Sequence, residues 1–381
     1  MKEFTVKQLF KITKGKKVEQ ISPENINKVR FIQIDDLRNN NNIKYCSNDE
    51  KYVYATKNDV IIAWDGANAG TIGYSLEGAI GSTLAVLKRR REDFSIAYVA
   101  KFLQSKSQFL RDNCTGATIP HISRQVLENI KIPLPSFETQ EKIVDVLDKV
   151  QALVEKRKIQ ISSLTALTQS VFLEIFGDPV CNNKGWTTYK LEDICTKITD
   201  GTHDTPKRLS SGVMLITGKN IRPFQIDYSN LDYVSEDDHK IIYSRCNPEY
   251  GDILYTNIGV NLGTAVMNDI LEEFSMKNVA LLKINKGLVE SRYLESLLNY
   301  VPMKNSIIET SSSGGAQKFL SLGKIKNVVL PIPPLETQLK YTKIVEEILQ
   351  RKNLLEKNLI NIEDLSNSLM QQAFKGVLFS N

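Results

Sequence analysis

Pro133-Leu134-Pro135-Ser136-Phe137-Glu138-Thr139-Gln140 is answered further along the chain by Pro331-Ile332-Pro333-Pro334-Leu335-Glu336-Thr337-Gln338. Glu138 and Glu336, Gln140 and Gln338, and Phe176 and Phe374 all stand 198 positions apart. Gly116 and Gly314 keep the same offset. Further upstream the offset falls to 193: Gly66-Ala67-Asn68-Ala69-Gly70-Thr71 faces Gly259-Val260-Asn261-Leu262-Gly263-Thr264, and Asp59 faces Asp252. A constant offset with small steps describes two related units that differ by loop insertions. The period is far too long for a solenoid, and the chain length suits two domains.

Behind each motif the apolar positions recur every three and four residues. Ile143, Val150, Arg157, Leu164 and Val171 form one row; Leu147, Val154, Ile161, Thr168 and Ile175 form the other. The second copy gives Tyr341, Ile348, Leu355, Ile362 and Leu369, with Val345, Lys352, Leu359, Ser366 and Ala373. These are the a and d positions of a heptad seam. Neither stretch has an internal proline or glycine; Gly177 and Gly376 close them. A rod of about 38 residues is about 57 Å long and too narrow to bury itself. Each rod leaves its own globular unit, so the spacing predicts that the two pair antiparallel; the alternatives are that each rod packs back on its own domain or dimerises with another molecule. Arg157 and Lys352 interrupt the seams, with Glu155 and Glu356 near enough in sequence to offer partners; the long stems are read as snorkelling, with a register-fixing role as the alternative.

The globular segments carry strand-like runs: Phe31 to Ile34, Val60 to Ala63 matched by Ile253 to Thr256, and Leu84 to Leu87 matched by Val279 to Leu282. Helices are expected over 95–109 and 291–300. The irregular alternation predicts a mixed α/β (α+β) fold with a largely antiparallel sheet. The G-x-N-x-G-T segments lack the Gly-Lys-Ser/Thr ending and the strand–helix context of a phosphate loop. They are read as tight turns in which glycine supplies positive φ.

The composition, 41% hydrophobic and 24% charged, is that of an ordinary globular protein. No uninterrupted run of eighteen apolar residues occurs, so no membrane span is expected. Five scattered cysteines without a C-x-x-C pair favour reduced thiols in the cytoplasm. Three histidines form no local zinc cluster, so no metal site is expected. A net charge of +5 permits an anionic partner without requiring one. No H-E-x-x-H, G-x-S-x-G, Walker or Rossmann motif is present, nor the Asn-Pro-Pro-aromatic tetrapeptide of adenine methyltransferases, so no catalytic residue is assigned.

The chain resembles the DNA-specificity subunit of type I restriction–modification systems. The resemblance is carried by the repeated Pro-x-Pro-x-x-Glu-Thr-Gln motifs, the helices behind them, Asp200-Gly201-Thr202-His203-Asp204-Thr205-Pro206, and the ending Ser368-Leu369-Met370-Gln371-Gln372-Ala373-Phe374-Lys375-Gly376. It implies two similar globular target-recognition domains separated by two long helices pairing as an antiparallel coiled coil. The boundaries expected are 1–136, 137–177, 178–334 and 335–376. It further implies that each domain reads half of a bipartite, asymmetric site in double-stranded DNA. The helices would dock two modification (methyltransferase) subunits, with restriction subunits joining the full complex. This chain would then carry no cofactor; S-adenosylmethionine, ATP and Mg²⁺ belong to those partners. Candidate DNA contacts are Lys14, Lys16, Lys17, Thr118 and His121 in the first domain, and Thr202, His203, Lys207, Lys219, Arg222 and Lys318 in the second. The expected seam is Ile143, Leu147, Val150, Val154, Ile161 and Leu164 against Tyr341, Val345, Ile348, Leu355, Leu359 and Ile362. Thr118-Ile119-Pro120-His121 becomes Ala316-Gln317-Lys318-Phe319 in the second copy, so the two half-sites should differ. A methylation-only complex on the same scaffold is the alternative reading; a cryptic nuclease and a coiled-coil adaptor without a DNA role are the others.

Overall fold

The computed structural model describes residues 2–116, 118–311 and 318–379 of the 381. Gly314, Ala316 and Gln317, which the repeat alignment pairs with Gly116, Thr118 and Ile119, lie outside the described residues. The chain divides into two compact units: unit 1 holds residues 1–157 and 358–381, unit 2 holds 158–357. Each unit therefore contains a globular segment, the start of its own long helix and the end of the other.

Unit 1 is built on a four-stranded antiparallel sheet in the order Phe10–Lys14, Leu84–Arg89, Val60–Ala63, Ile72–Tyr74. Val60–Ala63 is buried along its whole length, which explains its unbroken apolar run. Side chains alternate between faces. Val60, Ile62, Ala85 and Leu87 join one core with the helix Ile96–Ser105, while Ile61, Ala63, Leu84 and Val86 join another with Ile32 and Ile80. Ile32 and Ile80 belong to a second sheet of five short strands, where Lys28–Ile32 runs parallel to Gly78–Ile80. That strand stops at Ile32, short of the expected Ile34, because Ile34 opens a 3-10 turn over Asp35–Leu37. The helix expected over 95–109 is two: Ile96–Ser105 ends at Lys106 and Ser107–Asp112 follows. Ser95 caps the first, its hydroxyl accepting from the Tyr98 N–H.

Unit 2 repeats the plan with Cys195–Asp200, Ala280–Ile284, Ile253–Tyr255 and Ala265–Met267. A three-stranded sheet (Asp232–Val234, Val213–Thr217, Ser275–Lys277) covers its second face. Here the helix Glu236–Cys246 packs on that sheet, and Ser291–Asn299 leads into Val301–Ser311.

The long helices are Phe137–Phe176 and Leu335–Lys375. They run antiparallel, and each unit shows it. In unit 1, Ile143 and Leu147 from the start of the first share a core with Leu369, Met370, Ala373 and Phe374 from the end of the second. In unit 2, Phe172 and Phe176 share a core with Tyr341 and Val345. The expected rows drift here. Val171 and Ile175 only flank the core, and Phe172 and Phe176 fill it, because a straight helix of 3.6 residues per turn slips against a seven-residue repeat. Lys352 reaches Glu356 at 3.8 Å, one turn along its own helix. By length and composition Phe137–Phe176 is also apolar enough to cross a membrane, although it contains no unbroken run of eighteen apolar residues. The core of unit 2 encloses its aromatic end.

Both long helices end on a glycine in the left-handed region. Gly376 adopts φ +78°, its N–H donating to the Ala373 carbonyl and that of Val377 to Gln372, a Schellman ending. Gly177 adopts φ +75° and donates to Leu173. The Lys184 ammonium donates to the carbonyls of Glu174 and Ile175, and the Trp186 indole N–H to that of Phe176.

Candidate nucleic-acid interface

The glycine-rich segments form the same loop in both units. Ala63 N–H donates to Thr71 and Gly70 N–H to Ala63; Thr256 and Gly263 repeat the pattern with Thr264 and Thr256. Gly66, Gly70, Gly259 and Gly263 all have φ between +76° and +93°, a region that L side chains adopt at a cost. The loop is a strand connection and carries no phosphate-loop geometry. The central asparagine anchors it: Asn68 accepts from Arg38 at 2.7 Å, and Asn261 donates to the Gly218 carbonyl at 3.0 Å.

Beside the loop of unit 1 the structure brings together two of the expected contact residues. Lys14 Nζ lies 2.7 Å from Asp65 Oδ2, and His121 Nδ1 lies 2.6 Å from Asp65 Oδ1. Burial pushes the Asp65 carboxyl up, but hydrogen bonds from Lys14 and His121 outweigh it and hold it below its ordinary value. The cluster sits where Asp65 and His121 form an antiparallel bridge. Lys14 is thus an ion-pair partner, with half its side chain exposed. Lys16, Lys17 and Thr118 are exposed nearby in sequence.

At the equivalent bridge of unit 2 stand Ile258 and Phe319. The loop there borders an open cavity of about 530 Å³ lined by Arg208, Lys219, Arg222, Lys277, Ile258 and Val260, among others. Lys219 and Arg208 share Asp232 at 2.9 and 3.2 Å, and Arg222 reaches Asp227 at 3.4 Å. Lys277 donates to the Asp204 carbonyl and the Thr205 hydroxyl. Of the cations lining this mouth, sequence reading named Lys219 and Arg222 and did not name Arg208 and Lys277. Arg208 follows the named Lys207 and Lys277 stands alone in sequence; the fold carries both to the same mouth. Thr202 bridges to Lys277, and His203 Nε2 meets Asp200 Oδ2 at 2.7 Å. Arg245 also reaches Asp200. Lys207 and Lys318 are exposed. Gly201 in this stretch is required by close approach, since a Cβ there would run into the Met276 carbonyl oxygen; Gly15 stands likewise against Gly81.

The repeated Glu-Thr-Gln motif acts at the junction of globular segment and helix. Gln140 is buried; its Oε1 accepts from the Ser95 N–H at 2.8 Å and its Nε2 donates to the Pro135 carbonyl at 2.9 Å. Gln338 is fully buried, accepts from Glu290 N–H at 2.8 Å, and donates to Pro333 at 2.7 Å and Leu288 at 3.1 Å. Ser95 and Glu290 are N-cap residues of their helices, so each glutamine ties a helix start of the globular segment to the start of a long helix. Tyr98 and Tyr293 add a hydroxyl bond to the Pro133 and Pro331 carbonyls, both at 2.7 Å. Each tyrosine also meets the terminal aromatic of a long helix: Phe374 edges Tyr98 with centroids 5.6 Å apart, and Phe176 edges Tyr293 at 4.7 Å. Of the seam residues, Ile143, Leu147, Val150, Val154, Tyr341, Val345 and Ile348 are buried. Ile161, Leu164, Leu355, Leu359 and Ile362 are half-buried.

A duplicated α+β fold joined through antiparallel helices, with a divergent polar or basic mouth on each copy, is that of a restriction–modification specificity protein. The chain belongs to the family described as type I restriction modification DNA specificity domain, which matches residues 1–163 and 183–364. It is 22% identical to the type I restriction enzyme MjaVIII specificity subunit of Methanocaldococcus jannaschii over 97% of this chain and 89% of that one. It is also 22% identical to the EcoBI specificity subunit of Escherichia coli, over 92% and 80%. The fold is shared with the crystal structure of the type I restriction–modification S subunit from M. genitalium, at a TM-score of 0.60 and 19% identity, covering 98% and 96% of the two chains.

Proposed function

We propose that this chain is the sequence-reading subunit of a type I restriction–modification complex. Its globular segments, residues 1–136 and 178–334, act as target-recognition domains, each reading one half of a bipartite, asymmetric site in duplex DNA. The helical segments 137–177 and 335–376 set the distance between the readers and dock two modification subunits. Exposed apolar residues support that docking role: Leu153 and Leu365 in unit 1, Leu167 and Leu354 in unit 2. Chemistry belongs to the partners. S-adenosylmethionine-dependent methylation of adenine N6 requires a flipped base held by the modification subunit, and ATP with Mg²⁺ serves the restriction subunits. The complex works in the cytoplasm, where its DNA is.

The observation that carries this reading is the divergence at one structural position. The loop bridge holds Asp65 and His121 in one copy, and Ile258 and Phe319 in the other. Base edges in the major groove differ in donors, acceptors and methyl groups, so unlike mouths read unlike sequences. Mapping methylated adenines in the host genome, with and without this gene, tests it. A split motif with unlike halves, lost on deletion, is the expected outcome. A symmetric motif, or methylation indifferent to the gene, refutes it.

A further inference from the structure

We infer that unit 2 recognises a thymine in its half-site through the 5-methyl group, with Val260 as the contact and Ile258 and Phe319 as its apolar flank. The inference rests on the DNA-reading role proposed above and adds the base chemistry. Arg208, Lys219, Arg222 and Lys277 line one mouth. Two carboxylates, Asp232 and Asp227, pair with three of them, and among the described residues Lys277 bonds to neutral oxygens. That excess of positive charge suits a phosphate backbone, which positions a duplex without reading it.

Ile258 and Val260 line the same mouth. Val260 is wholly exposed, and Ile258 and Phe319 are 36% and 41% exposed. Val260 sits at the tip of a loop already held by Asn261 and by the glycine hydrogen bonds, so its side chain does nothing for the fold. The duplicate loop in unit 1 supplies the control. It carries Ala67 in place of Val260, with Asp65 and His121 in place of Ile258 and Phe319. An apolar finger amid cations has one complement on base edges: the thymine methyl is the apolar group that the major groove displays.

The test uses the full chain with the modification subunits of its host, and duplex oligonucleotides bearing the mapped site. Each thymine is replaced singly by deoxyuridine, which differs only by the methyl. One replacement should weaken binding about fourfold, the effect of one buried methyl. In Val260→Ala that sensitivity should vanish, while affinity for the deoxyuridine duplex stays as in the parent. Val260 is exposed, so the variant folds. The double variant K219Q/R222Q should lower the magnitude of the log–log salt slope by about 2. If that double variant binds with unchanged affinity and slope, the cavity does not face DNA, and the site assignment falls with the inference. If it weakens binding but no deoxyuridine does, or if Val260→Ala keeps the deoxyuridine sensitivity, the DNA assignment stands and the methyl inference is overturned. Equal weakening of every duplex by Val260→Ala also overturns it, marking the loop as a wedge between base steps.

Discussion

Gln338→Leu should destabilise unit 2 out of proportion to its modest change in shape. The substitution removes one acceptor and two donor contacts in a fully buried place. It leaves the Glu290 N–H and the carbonyls of Pro333 and Leu288 without partners. A buried orphan costs about 1–3 kcal/mol. With one of the three bonds fully buried and two at its margin, the total comes to about 3–5 kcal/mol. That is a large fraction of a typical domain's stability. At a few degrees per kcal/mol the unfolding midpoint falls by roughly 10 °C. Gln140→Leu removes two bonds in place of three, so its penalty on unit 1 should be smaller by about 1 kcal/mol. The chain holds two tryptophans, Trp64 in unit 1 and Trp186 in unit 2, so Trp64→Phe and Trp186→Phe backgrounds report the units separately by fluorescence. Gln338→Glu adds a further reading. The carboxylate keeps the acceptor but faces two carbonyls, so burial raises its folded-state pKa above the unfolded value near ~4.3. Proton binding then favours the folded state. The variant should be least impaired below the unfolded pKa and lose stability as pH rises through the folded one. A Gln338→Leu midpoint within about 2 °C of the parent, or a Gln338→Glu stability that rises with pH, would refute the clamp.

Gly201→Ala should destabilise unit 2 by about 1–3 kcal/mol or more, because the added carbon meets the Met276 backbone oxygen. Gly323→Ala, in open space on the helix Leu322–Lys326, should instead stabilise it by up to about 1 kcal/mol; calorimetry on both reads the opposite signs. Asp65→Asn should cost unit 1 no more than about 1 kcal/mol, since Lys14 and His121 are half-exposed. Its parent carboxyl lies below its ordinary value. The difference between parent and variant should therefore be present above about pH 4 and fade as pH falls through the folded pKa, followed by Trp64 fluorescence. Deleting residues 358–381 removes Leu369, Met370, Ala373 and Phe374 from the core of unit 1. The Trp64 transition should drop while that of Trp186 holds; a joint shift would refute the assignment of that segment to unit 1.

The strands around Val60, Ile253, Leu84 and Ala280 were legible because both faces of each are buried, which leaves an unbroken apolar run. The seam was legible from its heptads until the helix slipped and replaced Val171 and Ile175 by Phe172 and Phe176. The break at Lys106 was not, since no proline or glycine marks it. The candidate interface was half legible. Lys14 and His121 were singled out for their chemistry, but their common partner Asp65 is far from either in sequence. Arg208 was passed over beside its named neighbour Lys207, and Lys277 stands alone in the sequence, so neither was placed at this mouth until the chain folded. The motif glutamines were visible as a repeat, yet their work needs Ser95 and Glu290, which only the folded chain brings within reach.

What the two copies share and what they vary separate by burial. Gln140 and Gln338, Tyr98 and Tyr293 all join globular segment to helix, and all are buried. Ala67 and Val260, His121 and Phe319 differ, and the described structure places Val260, His121 and Phe319 at the surface. A buried polar clamp tolerates little change, because an orphaned hydrogen bond costs more than an average one contributes. An exposed loop tip held by backbone bonds tolerates nearly any side chain. The duplicated frame therefore permits the mouths to diverge without loosening the joints behind them, which is the arrangement a molecule needs if it must change what it reads and keep where it reads.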